Sequence, residues 1–162
     1  MFLDKIFKKF SKPLKSEQFF VFIESPLKVV SLEILFWGRA MWWPAQANIE
    51  VIDYPSADLQ VGSRSVIKIK AVLPAKLDTE ITKIVPGHLI ERTFIKGLLK
   101  GTETISIEER YNGMRLNVTL LVRPAGLIQR FFWEAFYHKK YTQAMKLILD
   151  SLRDYCQNIQ RL

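Results

Sequence analysis

Between residues 49 and 123 the chain alternates apolar and polar side chains with period two in six consecutive segments, and a long helical pattern with a broad apolar stripe follows. Asn112-Gly113 is the strongest hairpin signal and favours a type I′ turn. Successive strands joined by tight turns form an antiparallel meander that twists and curls. Because the helix must bury its stripe, the concave side of that sheet is the available surface. Together with an earlier strand, the pattern predicts an α+β fold: a curved seven-stranded antiparallel sheet around a long C-terminal helix.

The earlier strand spans residues 17–24 and is apolar on both faces. Ser25 is a suitable N-cap and Pro26 a suitable first residue for a helix that continues to Leu35. A second short helix or turn covers residues 36–43 and stops at Pro44. We therefore expect two short helices between the first strand and the meander.

The C-terminal helix is predicted to start after Pro124-Ala125-Gly126 and to reach about Ile159, a length of roughly 50 Å at the helical rise. Its predicted apolar stripe consists of Leu127, Phe131, Ala135, His138, Met145, Ile148, Leu149, Leu152 and Cys156.

Residues 1–16 form a separate basic amphipathic segment, ahead of a domain at 17–162. Its apolar residues recur at helical spacing opposite lysines: Phe2, Leu3, Ile6, Phe7 and Phe10. We expect a helix from Met1 to about Ser11 that packs on its own domain or on a neighbour. A peripheral contact of residues 1–12 with an anionic membrane is the alternative.

The composition restricts the function classes. The net charge of +8 is concentrated in the N-terminal segment, and no nucleic-acid-binding motif is present, so nucleic acid is not an expected partner. No apolar run is long enough to span a bilayer, no secretory signal is apparent, and the single Cys156 allows no internal disulfide. These features predict a cytoplasmic protein without a cofactor, whose oligomeric state is open.

No catalytic set is recognisable. Glu134 and His138 are spaced to share a helix face, but no third zinc ligand is evident, so we interpret them as a helical hydrogen-bonded pair and expect no metal. Cys156 and His138 would lie roughly 27 Å apart along one helix, too far for a dyad. Nucleophile-elbow and phosphate-loop motifs are also missing.

The order of elements resembles the START-like superfamily with its helix-grip fold, which includes polyketide cyclases, pollen-allergen-type binders and Hsp90-activator-like domains. The resemblance covers about residues 17–160. It rests on short motifs in matching order: Ser25-Pro26, Trp42-Trp43-Pro44, Val61-Gly62, Leu73-Pro74, Val85-Pro86-Gly87, the segment Gly97 to Gly101, and Phe131-Phe132-Trp133 followed by His138 and Met145. Tyr137 stands where one cyclase/dehydrase-like branch carries Asn. The resemblance implies a cavity between the sheet and the long helix.

Candidate cavity residues are apolar or aromatic side chains and a few polar ones: Trp37, Trp42, Trp43, Asp53, Ile69, Arg92, Phe94, Leu98, Leu99, Glu109, Leu120, Phe131, Ala135 and His138. The aromatic residues divide between core and pocket wall. His138 either contacts a ligand or is a hydrogen-bonded core histidine, and Asp53, Arg92 and Glu109 either enter the cavity or belong to a solvated face. The Leu98-Leu99 tip is either a mobile lid or an ordinary packed loop.

Three functions are compatible with these features. The leading hypothesis is binding or transport of a hydrophobic small molecule or lipid without catalysis. The second is a cyclase/dehydrase-like enzyme in which His138 acts as acid or base with Asp53, Arg92 or Glu109, and it requires at least two of these groups to converge. The third is a co-chaperone-like interaction domain, which needs an exposed apolar or charged surface outside the cavity, and the sequence shows no sign of one.

Overall fold

A computed structural model describes residues 14–53 and 59–159 of the chain. The sheet has seven antiparallel strands in the order β1-β7-β6-β5-β4-β3-β2. Their bounds are Lys15–Ile23 (β1), Ile49–Asp53 (β2), Arg64–Ile69 (β3), Ala75–Val85 (β4), Leu89–Lys96 (β5), Leu99–Arg110 (β6) and Gly113–Pro124 (β7). The predicted seven-stranded antiparallel sheet is confirmed.

The hairpin between β6 and β7 is present, but its turn differs from the prediction. Arg110 pairs with Gly113, so Tyr111 and Asn112 form the two-residue loop. Among the described residues other than glycine only Asn48 has a positive φ, which rules out a type I′ turn at these positions. A Cβ atom on Gly113 would lie 2.3 Å from the carbonyl oxygen of Ile23. The glycine therefore permits close approach of β1 to β7.

The helices comprise α1 (Leu27–Leu35), α2 (Leu127–Phe132) and α3 (His138–Ile159). Of the two predicted short elements, the first is α1. The second, predicted as a short helix or turn over residues 36–43, forms turns, and a separate 3-10 turn follows Pro44 at Ala45–Ala47. The predicted N-cap role of Ser25 is wrong: no side chain caps α1, and the buried Ser25 hydroxyl lies 3.5 Å from the Cys156 carbonyl oxygen.

A π-helical turn, Trp133–Tyr137, joins α2 to α3. A π-turn accommodates one extra residue and rotates everything before it relative to a regular helix. Trp133 and Tyr137 are consequently buried, whereas the predicted stripe residues Leu127, Phe131 and Ala135 are exposed. That part of the predicted stripe is wrong.

From Met145 onward the predicted stripe is confirmed, with Met145, Ile148, Leu149, Leu152 and Cys156 buried, whereas the stripe residue His138 at the start of α3 is 43% exposed. Together with inward side chains of the strands, α1 and the tryptophans, they form one continuous hydrophobic core between the concave sheet face and the helix. Within the described part of the chain, no helix is long and apolar enough to cross a membrane. The predicted N-terminal helix lies outside the described residues, and the division at residue 16 stays a prediction.

Candidate ligand site between the sheet and the helices

A row of side chains in register crosses the concave face of the sheet. Glu17 on β1 is opposite Leu120 on β7, Leu120 is opposite Glu103 on β6, and Glu103 is opposite Arg92 on β5. Ile81 on β4 completes the row. Because side chains alternate between the faces of a strand, the antiparallel register brings all of them to the same side. Three ionisable groups are thereby placed beneath the C-terminal helix.

Arg92 and Glu103 form an ion pair in the protein interior. The Arg92 Nε donates to Glu103 Oε2, and the Tyr141 hydroxyl of α3 donates to Glu103 Oε1 over 2.6 Å. Arg92 is 7% exposed and Glu103 is fully buried. A buried carboxylate needs such partners because the loss of hydration is costly. Arg92, Glu103 and Tyr141 are called the interior polar cluster below.

Burial raises the pKa of Tyr141 well above its usual value, and the negative charge of Glu103 adds to the increase. The phenol therefore keeps its proton and acts as a donor to the carboxylate rather than as a base. Charge in the interior polar cluster is balanced, since one guanidinium faces one carboxylate.

The interior polar cluster borders a small cavity of about 30 Å³. Arg92, Ser65 and Arg39 are the polar residues that line it. The rest of the wall is apolar and consists of Ile34, Leu35, Trp37, Leu59, Ile81, Ile90 and Ile105. Among the described residues, Glu103 is the one hydrogen-bond partner of the Arg92 guanidinium. Apolar walls around a few convergent polar groups are typical of small-molecule sites.

Three tryptophans form the end of the site nearest α1. Ring centroids of Trp37, Trp42 and Trp43 lie 5.5–6.0 Å apart, mostly edge to face. The Trp42 Nε1 donates to Glu33 at 2.7 Å, and the Trp43 Nε1 donates to the Ile49 carbonyl at 2.8 Å. Edge-to-face rings with anchored N–H groups make a defined wall. Of the three, Trp37 lines the cavity and the other two support it.

His138 is placed at the margin of this interior. Its Nε2 lies 2.6 Å from Glu17 Oε1, and its ring is 5.9 Å from that of Trp133. The side chain is 43% exposed. His138 thus contacts the row at its β1 end, and the predicted hydrogen bond to Glu134 is wrong, because Glu134 pairs with Arg130 instead.

Comparison with solved structures identifies the architecture. The chain superposes on TTHA0849 from Thermus thermophilus with a TM-score of 0.68 and 13% identity, on the KanY protein with 0.67 and 11%, and on ginseng major latex-like protein 151 from Panax ginseng with 0.65 and 10%. Each alignment covers 90% of this chain and 99% of the other. The fold is a helix-grip fold. No family model matches the sequence, and no curated protein matches it.

The helix-grip interior contains only part of the predicted cavity set. Ile69, Phe94, Leu99 and Leu120 are buried in the core, together with Arg92, Trp37 and Trp42, and Trp43 is partly buried against it. Phe131, Ala135 and Glu109 lie on the exposed surface. Leu99 belongs to β6 and Leu98 is partly buried against the core, as expected for a packed connection. The Asp53 side chain lies outside the described residues.

Glu103 and Tyr141 were not among the sequence candidates. The sequence did contain a signal for Glu103, because it shares one strand face with Ile105 and Ile107. Arg92 lies in the same way between the inward Ile90 and Phe94. A charged residue that alternates with buried aliphatic ones on a strand points inward with them. Among the described residues, no three His, Cys, Asp or Glu side chains are grouped to hold a metal ion.

Proposed function

We propose that the chain binds a hydrophobic small molecule or lipid between the sheet and the helices, without chemistry on it. The observation that carries the proposal is the interior polar cluster at the wall of an apolar cavity. Buried ion pairs contribute little net stability compared with well-packed apolar residues. A cluster of this kind therefore suits recognition, with the Arg92 guanidinium donating to an acceptor oxygen of the ligand.

The cavity volume of about 30 Å³ is far below the roughly 300–1,000 Å³ that small-molecule pockets usually occupy. Binding therefore requires the wall to move outward. The inner wall belongs to paired strands, whereas Leu35, Trp37 and Leu59 belong to a helix end and to irregular segments. Segments with few backbone ladder contacts open at lower free energy than central strands. We infer that the ligand enters beside Trp37.

The enzyme hypothesis finds less support in the side-chain positions. His138 contacts Glu17, Arg92 contacts Glu103, and Glu109 is exposed near the β6–β7 hairpin. No two of these three groups converge on one reacting atom, whereas the acid–base hypothesis required at least two of the four candidates to do so. The fourth candidate, the Asp53 side chain, lies outside the described residues. We also propose membership of the START-like superfamily, which the helix-grip fold and the sequence motifs support. A cytoplasmic location stays a prediction from the amino-acid composition.

A fluorescent fatty acid tests the binding function. Energy transfer from the four tryptophans, Trp37, Trp42, Trp43 and Trp133, to cis-parinaric acid should saturate with the full-length protein. Ile90→Phe fills the cavity from a buried strand position and is expected to weaken binding about tenfold or more, which is about 1.4 kcal/mol. Ile52→Phe, at a 43% exposed strand position, is the matched control and should bind like the unmodified protein.

Native mass spectrometry of protein purified from its own host complements that titration, since a bound lipid or metabolite adds a discrete mass. The proposal fails if the chain is always empty and parinaric acid shows no saturable transfer. It also fails if Ile90→Phe folds normally, by its melting temperature, and binds as tightly as the Ile52→Phe control.

A further inference from the structure

One end of the domain is covered by exposed apolar side chains. The antiparallel register brings together the start of β1, the end of β7 and the turns β3–β4 and β5–β6. The helix α2 begins at this end, directly after β7. Six large apolar residues here are between 46% and 99% exposed: Val72, Leu73, Leu127, Ile128, Phe131 and Phe136. They are called the apolar end below.

The apolar end is a connected surface. The rings of Phe131 and Phe136 lie 6.1 Å apart, and Phe132 is within 6.0 Å of both. The Tyr137 hydroxyl donates to the Leu73 carbonyl at 2.7 Å, which fixes the β3–β4 turn beside the helix. Contiguous exposed apolar patches on a soluble domain commonly mark interaction sites.

Cations surround the apolar end. Six basic residues lie on the adjoining strand ends and on the first turn of α3, and none has an ion-pair partner among the described residues: Lys76, Lys96, Lys100, Arg123, Lys139 and Lys140. Lys100 and Arg123 are even opposite each other in the β6–β7 register. The acidic residues at the apolar end are Asp78, opposite Lys96 in the β4–β5 register, and Glu134, which pairs with Arg130, so cations outnumber anions there. At the other end of the sheet, exposed charges of both signs are mixed: Glu24, Lys83, Glu108, Glu109 and Arg110.

We propose that the apolar end is a docking surface for an anionic lipid bilayer. Ile128 and Phe131 would enter the interfacial region while the surrounding cations contact lipid phosphates, the arrangement used by basic amphipathic surfaces. This surface is a folded-domain feature and does not depend on a bound ligand or on residues 1–12.

The positive charge around the apolar end favours an anionic bilayer over two other occupants, a second copy of the chain and the chain's own N-terminal segment. A two-fold contact with a second copy would bring the same cations face to face. The chain's own N-terminal segment carries Lys5, Lys8, Lys9 and Lys12, so covering the patch with it would also juxtapose like charges. That segment is attached at this end, because Lys15 pairs with Val122 near the end of β7. On an anionic bilayer both sets of cations would instead be attracted to the same surface.

Co-sedimentation of the full-length chain with vesicles tests the proposal. The probe is vesicles of phosphatidylcholine and phosphatidylserine in equal parts, with phosphatidylcholine alone as the neutral comparison. Binding to the anionic vesicles is expected and should decrease as salt is raised. Ile128→Ser/Phe131→Ser should lower the partition coefficient about tenfold or more. Lys139→Glu/Lys140→Glu should lower it comparably at low salt.

Two full-length controls accompany these variants. Tyr111→Ser removes a fully exposed aromatic residue at the opposite end and should bind like the unmodified chain. Ile6→Ser/Phe7→Ser alters the N-terminal segment and should retain the sensitivity to Ile128→Ser/Phe131→Ser. The proposal is overturned if the unmodified chain ignores anionic vesicles, or if Ile128→Ser/Phe131→Ser binds as well as Tyr111→Ser. Sedimentation velocity showing a dimer that Ile128→Ser/Phe131→Ser dissociates would assign the patch to a second copy instead.

Discussion

Removing Arg92 alone should destabilise the protein strongly, because Glu103 would remain as a buried carboxylate. Glu103 is fully inaccessible and has two donors, the Arg92 Nε and the Tyr141 hydroxyl. Arg92→Met keeps an unbranched apolar chain but leaves only the Tyr141 donor. Breaking a buried pair in this way typically costs about 3–5 kcal/mol. With a total free energy of unfolding on the order of 5–15 kcal/mol, the loss should be unmistakable.

Urea unfolding followed by tryptophan fluorescence measures this loss. Arg92→Met/Glu103→Leu/Tyr141→Phe replaces the whole interior polar cluster by apolar side chains and is expected to recover most of the stability, to within about 2 kcal/mol of the unmodified protein.

The reasoning about the interior polar cluster would be refuted by either of two results. The first is a cost of Arg92→Met below about 1 kcal/mol, the range of a surface substitution. The second is a triple variant that is no more stable than Arg92→Met, because the cost would then come from lost packing rather than from an unpaired charge.

Three further predictions concern local interactions. Tyr141→Phe should lower the free energy of unfolding by about 1.5–3 kcal/mol, because the hydroxyl donates to a charged group, whereas the control Tyr137→Phe should cost only about 0.5–1.5 kcal/mol in the same urea titration. Gly101→Ala should lower the melting temperature more than Gly62→Ala: both glycines have positive φ, but a Cβ at Gly101 would meet the Leu121 carbonyl oxygen at 2.0 Å while Gly62 has open space, so equal losses would contradict the clash. Burial raises the pKa of Cys156 from 9.0 to about 12. The stability that the neutral thiol contributes is therefore fully present below pH 9 and is lost as the pH rises from there toward 12. Cys156→Ala should show a shallower alkaline decline in the free energy of unfolding, and identical slopes for the two proteins would refute this.

The sheet and its curvature could be predicted from the sequence because they follow from period-two alternation and tight connections. The helix register could not. Propensity and apolar spacing assume a regular helix, and the π-turn at Trp133–Tyr137 violates that assumption without a sequence signal of its own. Similarly, Asn112-Gly113 correctly indicated a hairpin, but the glycine is needed for packing against Ile23, which is a tertiary constraint.

Only part of the candidate site could be predicted, because pairing between distant elements cannot be read from local sequence patterns. Arg92 was identified as a cavity candidate from its strand, but its partners come from β6 and α3, elements far away in sequence. Alternation indicates which face a residue occupies, whereas pairing requires the register between strands. The sequence showed no sign of an exposed apolar groove outside the cavity, whereas the structure exposes Leu127, Ile128 and Phe131 on α2. Leu127 and Phe131 had been assigned to the buried stripe, which the rotation of α2 turns outward.

The π-turn connects the interior site with the outer surface. In a regular helix, Glu134 would lie about two turns before Tyr141 and face the sheet with it, and Leu127 would do so two turns earlier. The extra residue instead brings Trp133 into the core, 5.8 Å from the Tyr141 ring, and leaves Glu134 and Leu127 in solvent. The same rotation that excludes a second carboxylate from the interior thus exposes Leu127 and Phe131 of the apolar end.

Deleting Ala135 should therefore convert the π-turn into regular helix while preserving both flanks. Ala135 is exposed, and its removal places Trp133 where a regular helix continues the buried stripe of α3. The free energy of unfolding is expected to stay within about 1 kcal/mol, and vesicle binding should be retained. Deleting the buried Ala144 is the contrasting control, because it shifts the register within regular helix and should abolish folding. If the Ala135 deletion unfolds the protein as the Ala144 deletion does, the π-turn is not a simple one-residue insertion and this account of the helix register is wrong.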